Sequence, residues 1–300
     1  MVKKLFIFTL LFFTACESPK SDTIQFPEIT NPLTFYTTYG TYTDPGDYAY
    51  LYKSLPDSLT ELCELLKCQF IHPVDIGPYR DVIPKNRYYE DDQFPTTEKL
   101  LAGLLALDER GLTFDRKPQN RLVVSCRYHA LLLASILKYK GIPARLRYGY
   151  APYLSRNKDL HIAHVICEVW NADEKRWMFV DPDRKMVDFP RDAFEPGSTV
   201  WLQLQNGESD KPEKYGVPGS WGEANILGSV CHDFYAVLGQ ELLYWQQPPL
   251  CGNEPDVIKK LDKAKSAVLT QIAQLMNNPD DHLNEIAAIV QQYGYLQIRE

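Results

Sequence analysis

From Cys126 to Lys140 the residues Ala130, Leu131, Leu132, Leu133, Ala134, Ile136 and Leu137 cover nearly the whole circumference of a helix, which predicts a helix buried on all sides. Ser125 stands where a cap belongs, Lys138 and Lys140 suit the C-terminal dipole, and Gly141 with Pro143 ends the run. Next, ARLRYGY alternates Ala144, Leu146 and Tyr148 against Arg145 and Arg147, the period of a strand. HVICEVW (His164 to Trp170) and WMFVD (Trp177 to Asp181) read as two further strands joined by the turn NADEKR. Setting Trp170 opposite Trp177 puts Ile166 opposite Asp181. His164 and Asp181 then share a face, one diagonal step of roughly 7–8 Å apart. A slip of one residue would put them on opposite faces.

Elsewhere the patterning is plainer. A helix is expected from about Pro56 to Cys68, and TTEKLLAGLLALDERG reads as another, capped by Thr96 and stopped by Gly111. TFYTTYGTYTDPGDYAY reads as loop or irregular strand, and Gly77 to Phe94 as surface connection. Beyond Glu254, VIKKLDKAKSAVLTQIAQLM and a shorter segment after Pro279 have the amphipathic spacing of helices packed on a domain. The division expected is 1–15 as a leader, 16–30 as a polar tether, 31–250 as the main domain and 251–300 as a helical extension.

Three hundred residues, 45% of them hydrophobic, can bury a sizeable core. The formal charge of -7 gives no reason to expect nucleic acid, whose binding needs basic patches. No Gly-rich phosphate loop, metal-spaced CxxC pair, HExxH or calcium loop stands in the chain, so neither a metal nor another cofactor is expected.

The first residues change the picture of location. Lys3 and Lys4 precede LFIFTLLFFTA (Leu5 to Ala15), an apolar run well short of the roughly 20 residues that span a bilayer. It reads as the core of a secretory signal and ends in FTAC, which resembles a bacterial lipobox. Cys16 is then the expected lipidated N-terminus, and the chain a lipid-anchored protein of the bacterial cell envelope, at the outer membrane or facing the periplasm. Six cysteines remain (63, 68, 126, 167, 231 and 251). Cys63 and Cys68 are five apart on a helix, about 7.5 Å of rise, and are not expected to pair.

Cys126 falls in the first turn of the buried helix, where partial positive charge favours thiolate. A thiol nucleophile needs a base, and the base needs a third group to fix its tautomer. Cys126, His164 and Asp181 supply these types in that order. Other candidates weigh less: His129 and Cys167 read as core, and His161 belongs to the loop before the strand. EDD (Glu90 to Asp92) and PDDH (Pro279 to His282) read as caps or loops, and Trp201, Trp221 and Trp245 as core or cleft residues.

SCRYHALLLASILKYKGIPARLRYGY followed by AHVICEVWNADEKRWMFVDPD resembles the core of the bacterial transglutaminase-like superfamily, within the wider papain-like group. The matching elements are Cys126, Gly141 to Arg145, His164 with Glu168 and Val169, and Val180-Asp181-Pro182. The similarity extends over roughly Phe94 to Trp245. Many members carry Trp after the histidine, where this chain has Val165. The resemblance implies an α+β fold, a nucleophile-bearing helix packed on an antiparallel sheet with extra flanking helices. It also implies attack of the Cys126 thiolate on a peptide or protein amide, giving a thioester resolved by water or by an amine, with hydrolysis favoured. The oxyanion would be held by the Cys126 N–H and a second donor, for which Gln119 and Asn120 are the candidates. The alternative is an inactive descendant serving as a binding or scaffold lipoprotein.

Overall fold

The computed structural model describes residues 23–157, 159–209, 211–252 and 261–298. The first half of the chain forms α1 (Pro32–Thr37), α2 (Leu59–Gln69), β1 (Phe70–Ile71), α3 (Thr97–Leu107), β2 (Leu122–Val123), α4 (Cys126–Tyr139) and β3 (Ala144–Ala151). There follow β4 (His161–Asn171), β5 (Arg176–Asp181), β6 (Met186–Val187), β7 (Glu195–Pro196), α5 (Gly197–Gln205), β8 (Tyr215–Val217), β9 (Ser220–Trp221) and α6 (Glu223–Val237). Helices α7 (Lys263–Leu275) and α8 (Leu283–Gln292) complete the described chain. The expected α+β class is what the structure shows.

The main sheet runs β6-β5-β4-β3-β7, antiparallel along that path, with β8 adding to β4 in parallel and β9 to β8. The β4–β5 register pairs Trp170 with Trp177 and Cys167 with Val180, as the hairpin reading requires. Strand β4 begins at His161, so that histidine lies within the strand rather than in the preceding loop; its ring stacks on Tyr215 and its Nδ1 meets Glu195. At Gly149, opposite His164, a Cβ would lie 2.2 Å from the Glu195 carbonyl oxygen, so only glycine lets β7 close on β3 there.

Every residue of α4 from Cys126 to Lys138 is buried. The helix packs on Leu62, Leu66, Leu100, Leu104, Leu146 and Val169, and Cys167 donates to its Ala130 carbonyl at 3.2 Å. Gly141, at φ 73°, ends it: Gly141 N–H donates to Lys138 and Ile142 N–H to Leu137, a left-handed cap that only glycine takes without strain. Helices α5, α6, α7 and α8 enclose a second cluster around Trp201, Phe234 and Ile272. The C-terminal helices thus pack on the domain as their spacing predicts.

Two segments differ from expectation. Helix α1 and a 3-10 helix (Gly46–Tyr52) form where tyrosine and threonine suggested strand or loop. The Asn31 side chain accepts from Thr34 N–H, Pro32 occupies the first turn, and burial of Tyr36 outweighs local propensity. Helix α2 starts at Leu59 because Ser58, not Pro56, caps it.

Candidate active site

The sequence expectation that matters most is local to one hairpin. His164 Nε2 lies 2.8 Å from Asp181 Oδ2, and both side chains are buried. Tyr153 donates its hydroxyl proton to the same carboxylate oxygen at 2.7 Å, and Arg184 N–H donates to the other at 3.1 Å. Asp181 is therefore fixed at both oxygens. The turn-capping role suggested by its place before Pro182 coexists with its hold on the imidazole.

With Nε2 committed to Asp181, the Nδ1 side of the His164 ring is left for Cys126. Burial pushes the Cys126 thiol up, but the charge and hydrogen bond of His164, followed by the hydrogen bond of His72, pull it down to about 6. Burial acts in the other direction on His164, yet the carboxylate of Asp181 and the charge on Cys126 hold its pKa well above the ordinary histidine value. Asp181 is lowered despite burial, chiefly by His164. The favoured state is a thiolate–imidazolium pair backed by a carboxylate. That set can attack a carbonyl carbon and return a proton to a leaving group.

The start of α4 is held open by an unusual division of hydrogen bonds. Ser125 makes no side-chain cap; its hydroxyl turns to Asp91 Oδ2 at 2.5 Å, and its N–H donates to Asp91 Oδ1 at 2.9 Å. Glu90 likewise accepts from Val123 N–H and from Arg87. The EDD cluster is thus the brace of the helix start. Arg127 is buried between the rings of Tyr42 and Tyr128 and donates to the carbonyls of Glu241 and Leu242. That grip brings Tyr244 over the first turn, where its hydroxyl accepts from Arg127 N–H at 3.3 Å and sits 3.4 Å from Cys126 Sγ.

His72 and Tyr244 were not legible in the sequence, and both reach the sulfur. His72 follows β1, which pairs in parallel with β2, whose last residue is Val123, so the ladder sets it beside Val124, in the turn that leads to Cys126. Its ring centroid is 6.5 Å from that of His129, one helical turn along. No periodicity marks a two-residue strand. The only local hint was His-Pro, a capping residue before the first position of a turn.

Gln119 is exposed and Asn120 half-buried in the Pro118–Asn120 turn, whose carbonyls are gripped by Arg87 and Arg116. The polar side chains at the sulfur are instead those of His164, His72 and Tyr244. His129 is core, as expected: burial pushes it down to about 3 and its ring nitrogens have no hydrogen-bond partner among the described residues. Trp201 is core and Trp245 is exposed. Among the described residues no group of histidine, cysteine or carboxylate side chains could hold a metal. Cys16 lies outside the described residues, among which no helix is long and apolar enough to cross a membrane.

Residues 120–182 match the family model of the transglutaminase-like superfamily, an interval that contains Cys126, His164 and Asp181. No curated protein and no solved structure matches the chain.

Proposed function

We propose that the protein is a cysteine enzyme that cleaves amide or peptide bonds through a thioester on Cys126, with water as the usual acceptor. The observation that carries this reading is the 2.8 Å contact of His164 Nε2 with Asp181, which leaves the other ring nitrogen to the thiol. In the first half-reaction the thiolate adds to the carbonyl carbon, and the C–N bond then breaks as the His164 proton passes to the leaving nitrogen. In the second, neutral His164 takes a proton from water, hydroxide adds to the thioester, and the thiol leaves. Water is always present to compete with an amine acceptor.

Cys126 is only 6% exposed. That is the observation favouring the second reading, a scaffold with a closed cleft. Competitive alkylation with limiting iodoacetamide separates the two. Near neutral pH, Cys126 should be labelled before Cys63, whose thiol burial pushes up to about 12, and before the other buried cysteines. A disulfide-bonded or slowest-reacting Cys126 sinks the enzyme reading.

The pH dependence follows from the same pair. Because the thiol is lowered to about 6, alkylation should rise as pH climbs through that value, not near its ordinary 9. Turnover also needs the imidazolium, whose pKa is raised, so activity should fall only well above pH 6.5. A single rise centred near pH 9 would contradict the pairing. Mass spectrometry of products formed from a peptide amide, with and without added primary amine, should show the free acid dominating in both.

For location, we infer that Cys16 becomes the lipid-bearing N-terminus, because the short apolar run ends in FTAC. Intact mass of membrane-extracted protein should show loss of residues 1–15 and an added acyl mass. An unmodified Met1 or cleavage elsewhere contradicts it.

A further inference from the structure

We propose that His72 is the second donor to the oxyanion formed at Cys126, acting beside the Cys126 backbone N–H; this rests on the acyl-transfer reading above. An oxyanion site needs two donors converging about 2.7–3.1 Å from one point next to the sulfur. The first N–H groups of a helix have no acceptor within it. At this helix start the N–H of Ser125 goes to Asp91, that of Arg127 to Tyr244 and that of Tyr128 to the Ser125 carbonyl. Among the described residues the series passes over the N–H of Cys126, and the Ser125 hydroxyl that could have crowded it is turned to Asp91.

His72 supplies the complement. The β1–β2 ladder, extended by the 3.0 Å bond from Val124 N–H to the Ile71 carbonyl, fixes its backbone next to the turn that leads into α4. Val74 N–H donates to His72 Nδ1 at 3.3 Å. A nitrogen that accepts carries no proton, so the ring proton sits on Nε2, and the hydrogen bond by which His72 lowers the Cys126 thiol is then donated from that edge. The ring is half-buried.

The two histidines therefore divide the work by their second partners. His164 bonds a carboxylate and can carry a proton between sulfur and leaving group. His72 accepts from a backbone N–H, already holds its proton on the working edge, and cannot act as base to the thiol. When the thiolate attacks, the S–C bond forms and the carbonyl π pair moves to oxygen. That charge is held by Cys126 N–H and His72 Nε2–H. On collapse the C=O bond reforms, C–N breaks, and the proton delivered to nitrogen is that of His164. His72 ends each half-reaction as it began.

The test compares two reagents on the full chain: acylation of Cys126 by p-nitrophenyl acetate, which passes through an oxyanion, and alkylation by iodoacetamide, which does not. Both are followed from about pH 5 to 9, so that the thiolate fraction can be factored out. Asparagine at position 72 places its oxygen near Nδ1 and keeps the Val74 bond while losing the far donor. Glutamine places its amide nitrogen near Nε2 and keeps the donor. His72→Asn should lower acylation by about 10²–10³-fold, with alkylation of the full thiolate changed by less than about tenfold, and His72→Gln should recover at least about tenfold of the loss. Equal loss in both reactions would overturn the assignment, leaving His72 as a modulator of the thiol alone. So would selective loss in Tyr244→Phe with none in His72→Asn, which would make the tyrosine hydroxyl the donor. A wild-type Cys126 that alkylates but is never acylated would overturn the enzyme reading itself, and this assignment with it.

Discussion

Asp181→Asn is expected to cut amide turnover by roughly 10³–10⁴-fold while the fold survives. Three donors converge on this carboxylate: the His164 ring and the Tyr153 hydroxyl on one oxygen, and Arg184 N–H on the other. An asparagine has one acceptor oxygen and must turn its NH₂ toward at least one donor. If the oxygen keeps Arg184, the NH₂ faces His164 Nε2, which must then accept, and the ring proton moves to Nδ1. The imidazole would present a proton to the thiol it should deprotonate. The same change removes the negative charge that stabilises the imidazolium, so the Cys126 thiol should move back up toward its ordinary value. The measurement is kcat/KM on a peptide amide together with the pH profile of Cys126 alkylation. Turnover within about tenfold of wild type, with an unchanged thiol profile, would show that Asp181 only shapes the turn.

A second large effect lies away from the sulfur. Glu168 is fully buried and accepts from Arg145 at 2.7 Å, Arg147 at 3.0 Å and Arg191 at 2.7 Å. Arg147 is also clamped by both oxygens of Asp233, Arg145 reaches Asp280, and the Arg145 guanidinium lies over the Trp177 ring. Burial acts against the Glu168 charge, yet the three guanidiniums, Arg145 first among them, hold its carboxyl far below the usual range. Glu168→Ala would leave buried arginine charge short of one anion, and breaking such a set typically costs about 3–5 kcal/mol. Chemical denaturation should show that loss as a lower midpoint at unchanged slope. A loss of only about 1 kcal/mol, the scale of an exposed pair, would mean that water reaches the cluster. The low folded pKa sets the sign with pH: this contribution is present above the unfolded carboxylate value and is lost as the medium becomes acid enough to protonate Glu168.

The hairpin bearing His164 and Asp181 was legible because its information is local. The Trp170–Trp177 pair and the turn residues set the register, and register alone decides which faces the two side chains share. Cys126 at a helix start was legible through the unbroken apolar run and the glycine stop. The other two side chains at the sulfur, His72 and Tyr244, were hidden for the opposite reason. His72 is delivered by a two-residue parallel pairing across some fifty positions, and Tyr244 by the grip of Arg127 on carbonyls more than a hundred residues away. The cap at Ser125 shows the same limit: the residue type was right, but Asp91, distant in sequence, claimed the hydroxyl. The Gln119–Asn120 expectation relied on proximity in sequence; what the structure adds is that Arg87 and Arg116 hold the carbonyls of that turn.

Since no residue from Cys126 to Lys138 is exposed, the amides of α4 beyond its first turn should exchange with deuterated solvent only when the whole domain opens. The helix that carries the sulfur is thus expected among the most slowly exchanging parts of the molecule. Tyr89 and Trp245, both 53% exposed on irregular segments, belong to the faster-exchanging remainder. If the proposed substrate is a peptide, adjustment to its shape is expected from such outlying segments rather than from the helix that carries the sulfur.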